Sequence, residues 1–238
     1  MDATHEVFNQ PEPLVDYNLF DTNRPLAGAL KFNAPQLQLS PLAHLGGVLG
    51  SGEMQVHARL ANTNPPVLHT HDRFGRRIDE VEFHPSYHVL MKAAVGAGLH
   101  GTPWTGESAS PHVQRAAGFM LFTELEPSIL CPISMSYAVT PALRGNAAIH
   151  ADWGPKLASL WYEPALKPWR DKPGVTMGMG MTEKQGGSDV RANTTRAEFV
   201  DDTAWVVLAR TSEPPCFSVM PMPMVRPGLS FQGFSAGS

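Results

Sequence analysis

Apolar residues recur at helical intervals from Leu42 to Leu60, and the run Asn62-Thr-Asn-Pro-Pro66 that follows supplies a stop, so a helix is expected to end there. Val67 to Val81, with Gly75 in its middle and charges on both sides, reads as an exposed loop or a short hairpin. Pro85 suits the first turn of the next helix, where its missing N–H would go unpaired in any case, and the helical period continues from Tyr87 to Val95. A third helix is predicted from Pro111 to about Glu126, with Val113, Ala116, Ala117, Met120 and Leu121 on one stripe. Ile129 to Leu143 is a further apolar run, predicted as a core helix despite Pro132, and Pro155 to Trp161 follows it. Near Val175 the pattern changes to short runs bounded by Gly and Pro: Val175 to Met181, Ala192 to Val200, Ala204 to Arg210, Cys216 to Met220, and Leu229 to Phe234. The expected fold class is α+β, with an all-α domain over residues 1–174 and a small antiparallel β-domain over residues 175–238.

At 238 residues and 42% hydrophobic content the chain is long and apolar enough for a real core. A formal charge of −4 gives no general attraction for phosphate backbones, so direct nucleic-acid binding is not expected. The cluster Arg73, Arg76 and Arg77 is offset by Asp72, Asp79, Glu80 and Glu82 and reads as a solvated loop. Cys131 and Cys216, far apart and without metal-ligand spacing, fit a reducing compartment, although one disulfide between them stays open. The first residues lack the basic and apolar regions of a secretory signal, and no apolar run approaches membrane-spanning length, so the cytoplasm is the expected location and no membrane partner is expected.

The richest chemistry lies in Met177-Gly-Met-Gly-Met-Thr-Glu-Lys-Gln-Gly-Gly-Ser-Asp189. Gly186 and Gly187 carry no Cβ and let the main chain approach a flat ring or a pyrophosphate; Thr182 and Ser188 add hydroxyls, and successive turn amides can form an anion-binding concavity. The same residues also serve as ordinary turn chemistry.

The sequence around that loop resembles the flavin loop of the acyl-CoA dehydrogenase superfamily, and within it the AidB branch linked to the adaptive response to DNA alkylation. Asn193-Thr-Thr-Arg-Ala-Glu198 continues the likeness, and Val7-Phe-Asn-Gln-Pro11, Ala61-Asn-Thr-Asn-Pro-Pro66, Val81-Glu-Phe-His-Pro-Ser-Tyr-His88 and Leu130-Cys-Pro-Ile-Ser-Met135 are similar to the same branch in the same order. The resemblance implies FAD as cofactor, oxidation of an acyl-CoA thioester as the parent activity, and a C-terminal helical bundle after the β-domain. It implies that the backbone of Met179, Gly180, Met181, Thr182, Glu183, Lys184, Gln185, Gly186, Gly187 and Ser188 wraps the flavin, with Thr182 near the ring and Ser188 near the phosphates or the mouth for acyl-CoA. The side chains of Glu183 and Asp189 are expected to face solvent, since a buried carboxylate beside the ring would need a partner.

Two departures qualify these implications. The family's Gly-x-Lys-Trp segment after the Asn-Thr-Thr region is missing, so Trp205 takes no stacking role and the sheet is expected to expose an unpaired edge. The carboxylate base that removes the α-proton comes, in the family, from the C-terminal bundle, so no catalytic residue is assigned and the 238-residue chain is expected to be a truncated form inactive alone. The competing expectation is a non-catalytic scaffold, or a protein of DNA protection that associates with itself or with a full-length homologue.

Other candidates weigh less. His84 and His88 are four apart on a predicted helix, but no Glu lies between them and no third ligand is evident, so a pair that packs or caps is expected, and no metal site. His69 and His71 lie upstream. Ser188 lacks the Gly-x-Ser-x-Gly setting of a nucleophile elbow. Trp153, Trp161 and Trp169 are expected as core and domain-interface anchors.

Overall fold

The computed structural model describes residues 5, 7–106, 109–178, 188–192, 194, 196–201, 204–209 and 216–220. The chain divides into two compact units, Met1–Gly178 and Met179–Ser238.

In the first unit, Asn18 starts helix α1 (Leu19–Thr22) by accepting from the Phe20 and Asp21 amides, and its Nδ2 donates to the Ala43 carbonyl at 2.9 Å, which ties this turn to a later helix. Asn23 caps α2 (Arg24–Asn33) through the Leu26 amide. The helical run expected from Leu42 to Leu60 is two helices, α3 (Ser40–Leu49) and α4 (Gly52–Thr63). The break has a tertiary cause: Gly50 lies so close to Tyr17 that a Cβ would fall on the Tyr17 carbonyl oxygen. The Gly50 carbonyl accepts from Asp16 N–H at 2.8 Å, and the next residue, Ser51, turns extended and caps α4 through the Met54 amide.

A hairpin follows, β1 (Val67–His71) and β2 (Arg77–Glu82), antiparallel with Leu68 opposite Val81 and His69 opposite Glu80. Asp72 organises its turn by accepting from the Phe74 and Arg76 amides, and Gly75 takes the left-handed φ of 76° that the turn needs. Every strand residue is exposed. Arg73 and Arg76 lie over the Phe74 ring, and Arg77 pairs with Asp79.

Helix α5 (Pro85–Gly96) begins at its proline behind a His84 cap, and α6 (Pro111–Leu125) also begins at one. Helix α7 (Leu130–Ala142) is the predicted core helix, burying Leu130 and Ile133. The expectation of structure from Pro155 to Trp161 is corrected: α8 spans Ala147–Leu157, started by Asn146 accepting from the Ile149 amide, so Pro155 falls in its last turn and the chain beyond Leu157 leaves the helix. The core of this unit is built on Leu49, Leu90, Met91, Leu121, Phe122 and Ile133. One carboxylate, Glu126, is buried with it at 1% exposure.

Val175 to Met181 was expected as a strand, but its described part, residues 175–178, is irregular. The reason is where its donors go: Val175 N–H bonds the Lys156 carbonyl at 3.2 Å and Met177 N–H bonds Ser136 Oγ at 3.0 Å, which leaves them unavailable to a ladder.

The second unit contains a three-stranded antiparallel sheet in the order β3 (Arg196–Asp201), β4 (Ala204–Ala209), β5 (Cys216–Met220), with Phe199 opposite Trp205 and Val207 opposite Ser218. The strand expected from Ala192 starts at Arg196, because Val190–Ala192 is a short 3-10 turn held by Asp189 Oδ1 accepting from the Arg191 amide. The expected strand from Leu229 to Phe234 lies outside the described residues.

Candidate functional site

Of the ten residues expected to hold a flavin, Met179, Gly180, Met181, Thr182, Glu183, Lys184, Gln185, Gly186 and Gly187 lie outside the described residues. Ser188 is described and exposed, as is Asp189.

In the first unit, the chain that leads toward this segment is fixed at several points. Tyr162 OH lies 2.9 Å from His88 Nδ1 on α5. Lys156 Nζ donates to the carbonyls of Arg170 and Lys172, which draws the loop Glu163 to Lys172 onto α8. Glu163 pairs with Lys167 at 2.6 Å and accepts from the Ala165 amide, and these contacts hold its carboxyl below the ordinary range. Gly174 is buried against the backbone of Trp161, where a Cβ would meet the carbonyl oxygen. Beyond it come the two bonds to Lys156 and Ser136 already described, and Ser136 is itself fully buried.

Around this loop lies a cavity of about 200 Å³ lined by Trp153, Tyr162, Lys167, Trp169, Lys172 and Thr176 among others. Trp153 and Trp169 stack with ring centres 4.1 Å apart and planes 18° from parallel. Trp161 departs from the expectation of a core anchor, being 67% exposed; its contribution is the carbonyl that closes on Gly174. The Trp169 Nε1 is buried and has no hydrogen-bond partner among the described residues. A buried donor left unmade costs about 1–3 kcal/mol, so the site suits an acceptor atom from water or a ligand. Ligand pockets usually measure about 300–1,000 Å³, so this cavity takes a small polar group and not a three-ring system.

His84 and His88 do not converge on a common centre. His84 Nδ1 accepts from the Ser86 amide as a helix cap, and His88 is engaged by Tyr162. His69 bonds Glu82 across the hairpin at 2.7 Å. Cys131 is free and exposed. Ser136, Lys156 and Tyr162 were not singled out from the sequence; each acts through a long-range contact that no local pattern marks.

Comparison with known proteins gives a consistent picture. The family model of the adaptive response protein AidB N-terminal domain matches residues 9–164. AidB of Escherichia coli (strain K12) is 44% identical over 204 residues, which is 85% of this chain and 38% of that protein. Among solved structures, the apo form of Bd2924 superposes with a TM-score of 0.69 at 28% identity, covering 90% of this chain and 40% of that one. Caenorhabditis elegans ACDH-11, solved in complex with C11-CoA, has a TM-score of 0.68 at 22% identity over 88% of this chain and 35% of its own, a likeness of fold. The chain thus spans well under half the length of these relatives.

Proposed function

The chain belongs to the AidB branch of the acyl-CoA dehydrogenase superfamily, and from that premise we propose that it binds FAD together with an acyl-CoA thioester. In this reading Met179 to Ser188 hold the cofactor, with Thr182 and Ser188 beside the thioester. The supporting observation is the pinned approach to that segment, where Ser136 and Lys156 take the Met177 and Val175 amides and Gly174 is wedged against Trp161. A loop that starts from a fixed point loses less freedom when it closes on a ligand. When bound, FAD supplies a two-electron acceptor for oxidation of a saturated carbon–carbon bond. This chain's residues are assigned the holding of the cofactor, and Ser188, exposed at the loop's end, is free to meet a polar group. The thioester is supported by the family and by the C11-CoA complex of the ACDH-11 relative. Location in the cytoplasm belongs to the same proposal; among the described residues no helix is long and apolar enough to cross a membrane.

The test is the purified protein's absorption spectrum, with the released cofactor identified after denaturation. Flavin bands and FAD support the reading, and a colourless protein that takes up no added FAD overturns it.

A second reading, a non-catalytic scaffold that associates with a further copy or a longer homologue, is favoured by the hairpin. It exposes Val67, Leu68, Phe74, Ile78 and Val81 together, and a two-stranded hairpin is marginal by itself in water. Sedimentation of the protein with and without residues 67–82 distinguishes the two.

A further inference from the structure

Helices α3, α5 and α6 leave between them a groove of about 560 Å³, within the range of small-molecule sites. Its walls are apolar, formed by Leu42, Leu45 and Val48 on α3, Ala93 on α5, Leu99 after it, and Leu160. Leu160 and Val48 remain exposed although large and hydrophobic. Gly96 lines the groove where a Cβ would meet nothing within 4 Å, so the space beside it is open.

One cation stands at this groove. Arg115, on α6, is half-buried; its Nε donates to the Leu99 carbonyl at 2.9 Å, and its guanidinium carbon lies 3.9 Å from the Tyr137 ring centre and 4.8 Å from that of Phe119. Among the described residues no carboxylate pairs with it. Burial holds its guanidinium below the ordinary arginine value, the mark of a charge that has given up water without gaining an anion. Arginine stays protonated across the physiological range, so this charge is constant.

An apolar trough with one under-compensated guanidinium at its side selects an amphiphile: an alkyl chain for the walls and a planar anion for the fork of the arginine. We propose that this groove binds a medium-chain alkyl carboxylate, its tail along Leu42, Leu45 and Leu99 and its carboxylate on Arg115. His44 and Gln114, also on the groove, supply further polar contacts for the head. Among the described residues the groove shares no lining residue with the cavity around Trp169, and Ser136 does not line it. The proposal therefore stands apart from the flavin reading.

Titration calorimetry of the 238-residue chain with decanoate and with 1-decanol, without flavin, tests it. Decanoate is expected to bind saturably at one site and more tightly than decanol. Arg115→Gln should weaken decanoate about tenfold or more and leave decanol within about twofold, since only the charged head loses its partner. Gly96→Leu fills the open space from a position that favours leucine over glycine in a helix, and should abolish binding of both probes without lowering the melting temperature. Absence of saturable decanoate binding, undiminished binding by Arg115→Gln, or undiminished binding by a folded Gly96→Leu each overturns the proposal.

Discussion

Tyr162 and His88 stand 74 positions apart in the chain and 2.9 Å apart in space, phenol oxygen to Nδ1. Burial raises the Tyr162 phenol well above its ordinary value, with Tyr87 adding to the effect, and burial lowers His88. At neutral pH the phenol therefore keeps its proton and the imidazole is neutral, so the bond joins two uncharged groups. This bond joins α5 to the loop that runs on to Gly174 and the approach segment. Tyr162→Phe is expected to cost about 1 kcal/mol in urea unfolding and to speed hydrogen exchange of the Val175 and Met177 amides. Unchanged exchange at both amides would show that the bond does not restrain the segment.

Acid should weaken the first unit before it weakens an ordinary helical domain. His88 and His100 both titrate below the free value because burial disfavours their charged forms; His100 is fully buried, its Nε2 on the Ser159 carbonyl and its Nδ1 without a partner among the described residues. The unfolded chain binds these protons first, so the stabilisation is complete above the unfolded pKa of about 6.5 and is lost as pH falls from there through the folded values. Urea midpoints measured at pH 8, 6.5 and 5 should fall along the series, and a flat series contradicts the assignment.

Glu126 adds a second, more acidic step. Its burial alone would raise the carboxyl, but bonds from the Ile129 and Ser128 amides, from the Ser128 side chain and from Asn62 Nδ2 outweigh that and hold it below the ordinary value. Its contribution is present above the unfolded pKa of about 4.3 and lost as pH falls through the folded one. Glu126→Ala leaves the buried Ile129 amide and the part-buried Ser128 amide without their acceptor and should cost about 2–3 kcal/mol, whereas Glu126→Gln keeps one acceptor and should cost less. Equal losses for the two substitutions would show that the amides are not what the carboxylate serves.

What could be read from the sequence was local. The prolines at the heads of α5 and α6, the polar stop after α4 and the Asp72 to Gly75 turn all announce themselves in a few neighbouring residues, and the structure places elements there. Tertiary contacts were not legible. The break at Gly50 depends on Tyr17, and the failure of a strand at Val175 depends on acceptors from Lys156 and Ser136. Apolar periodicity carries neither contact. The Gly-Gly-Ser segment rests on resemblance alone, while the residues that fix the chain before it, Tyr162 and Ser136, are distant from it in sequence and carry no motif.

Gly174→Ala probes that approach from the backbone side. The added methyl meets the Trp161 carbonyl oxygen, a backbone atom that cannot rotate away, so the loop must shift. The expected result is loss of the Trp153–Trp169 stack, read as a change in near-ultraviolet circular dichroism and tryptophan emission, with the far-ultraviolet helical signal kept. Spectra identical to the parent would mean that the loop tolerates the methyl and is not wedged there.

The most direct measurement is an equilibrium titration of the protein with FAD, followed by quenching of flavin fluorescence, in the parent chain and in Gly187→Val. Saturable uptake near one FAD per chain is expected, and its loss in the variant, whose branched side chain would block close approach of the backbone to the cofactor. A parent that takes up no FAD, or a variant that binds it as well as the parent, contradicts the claim that Met179 to Ser188 hold a flavin.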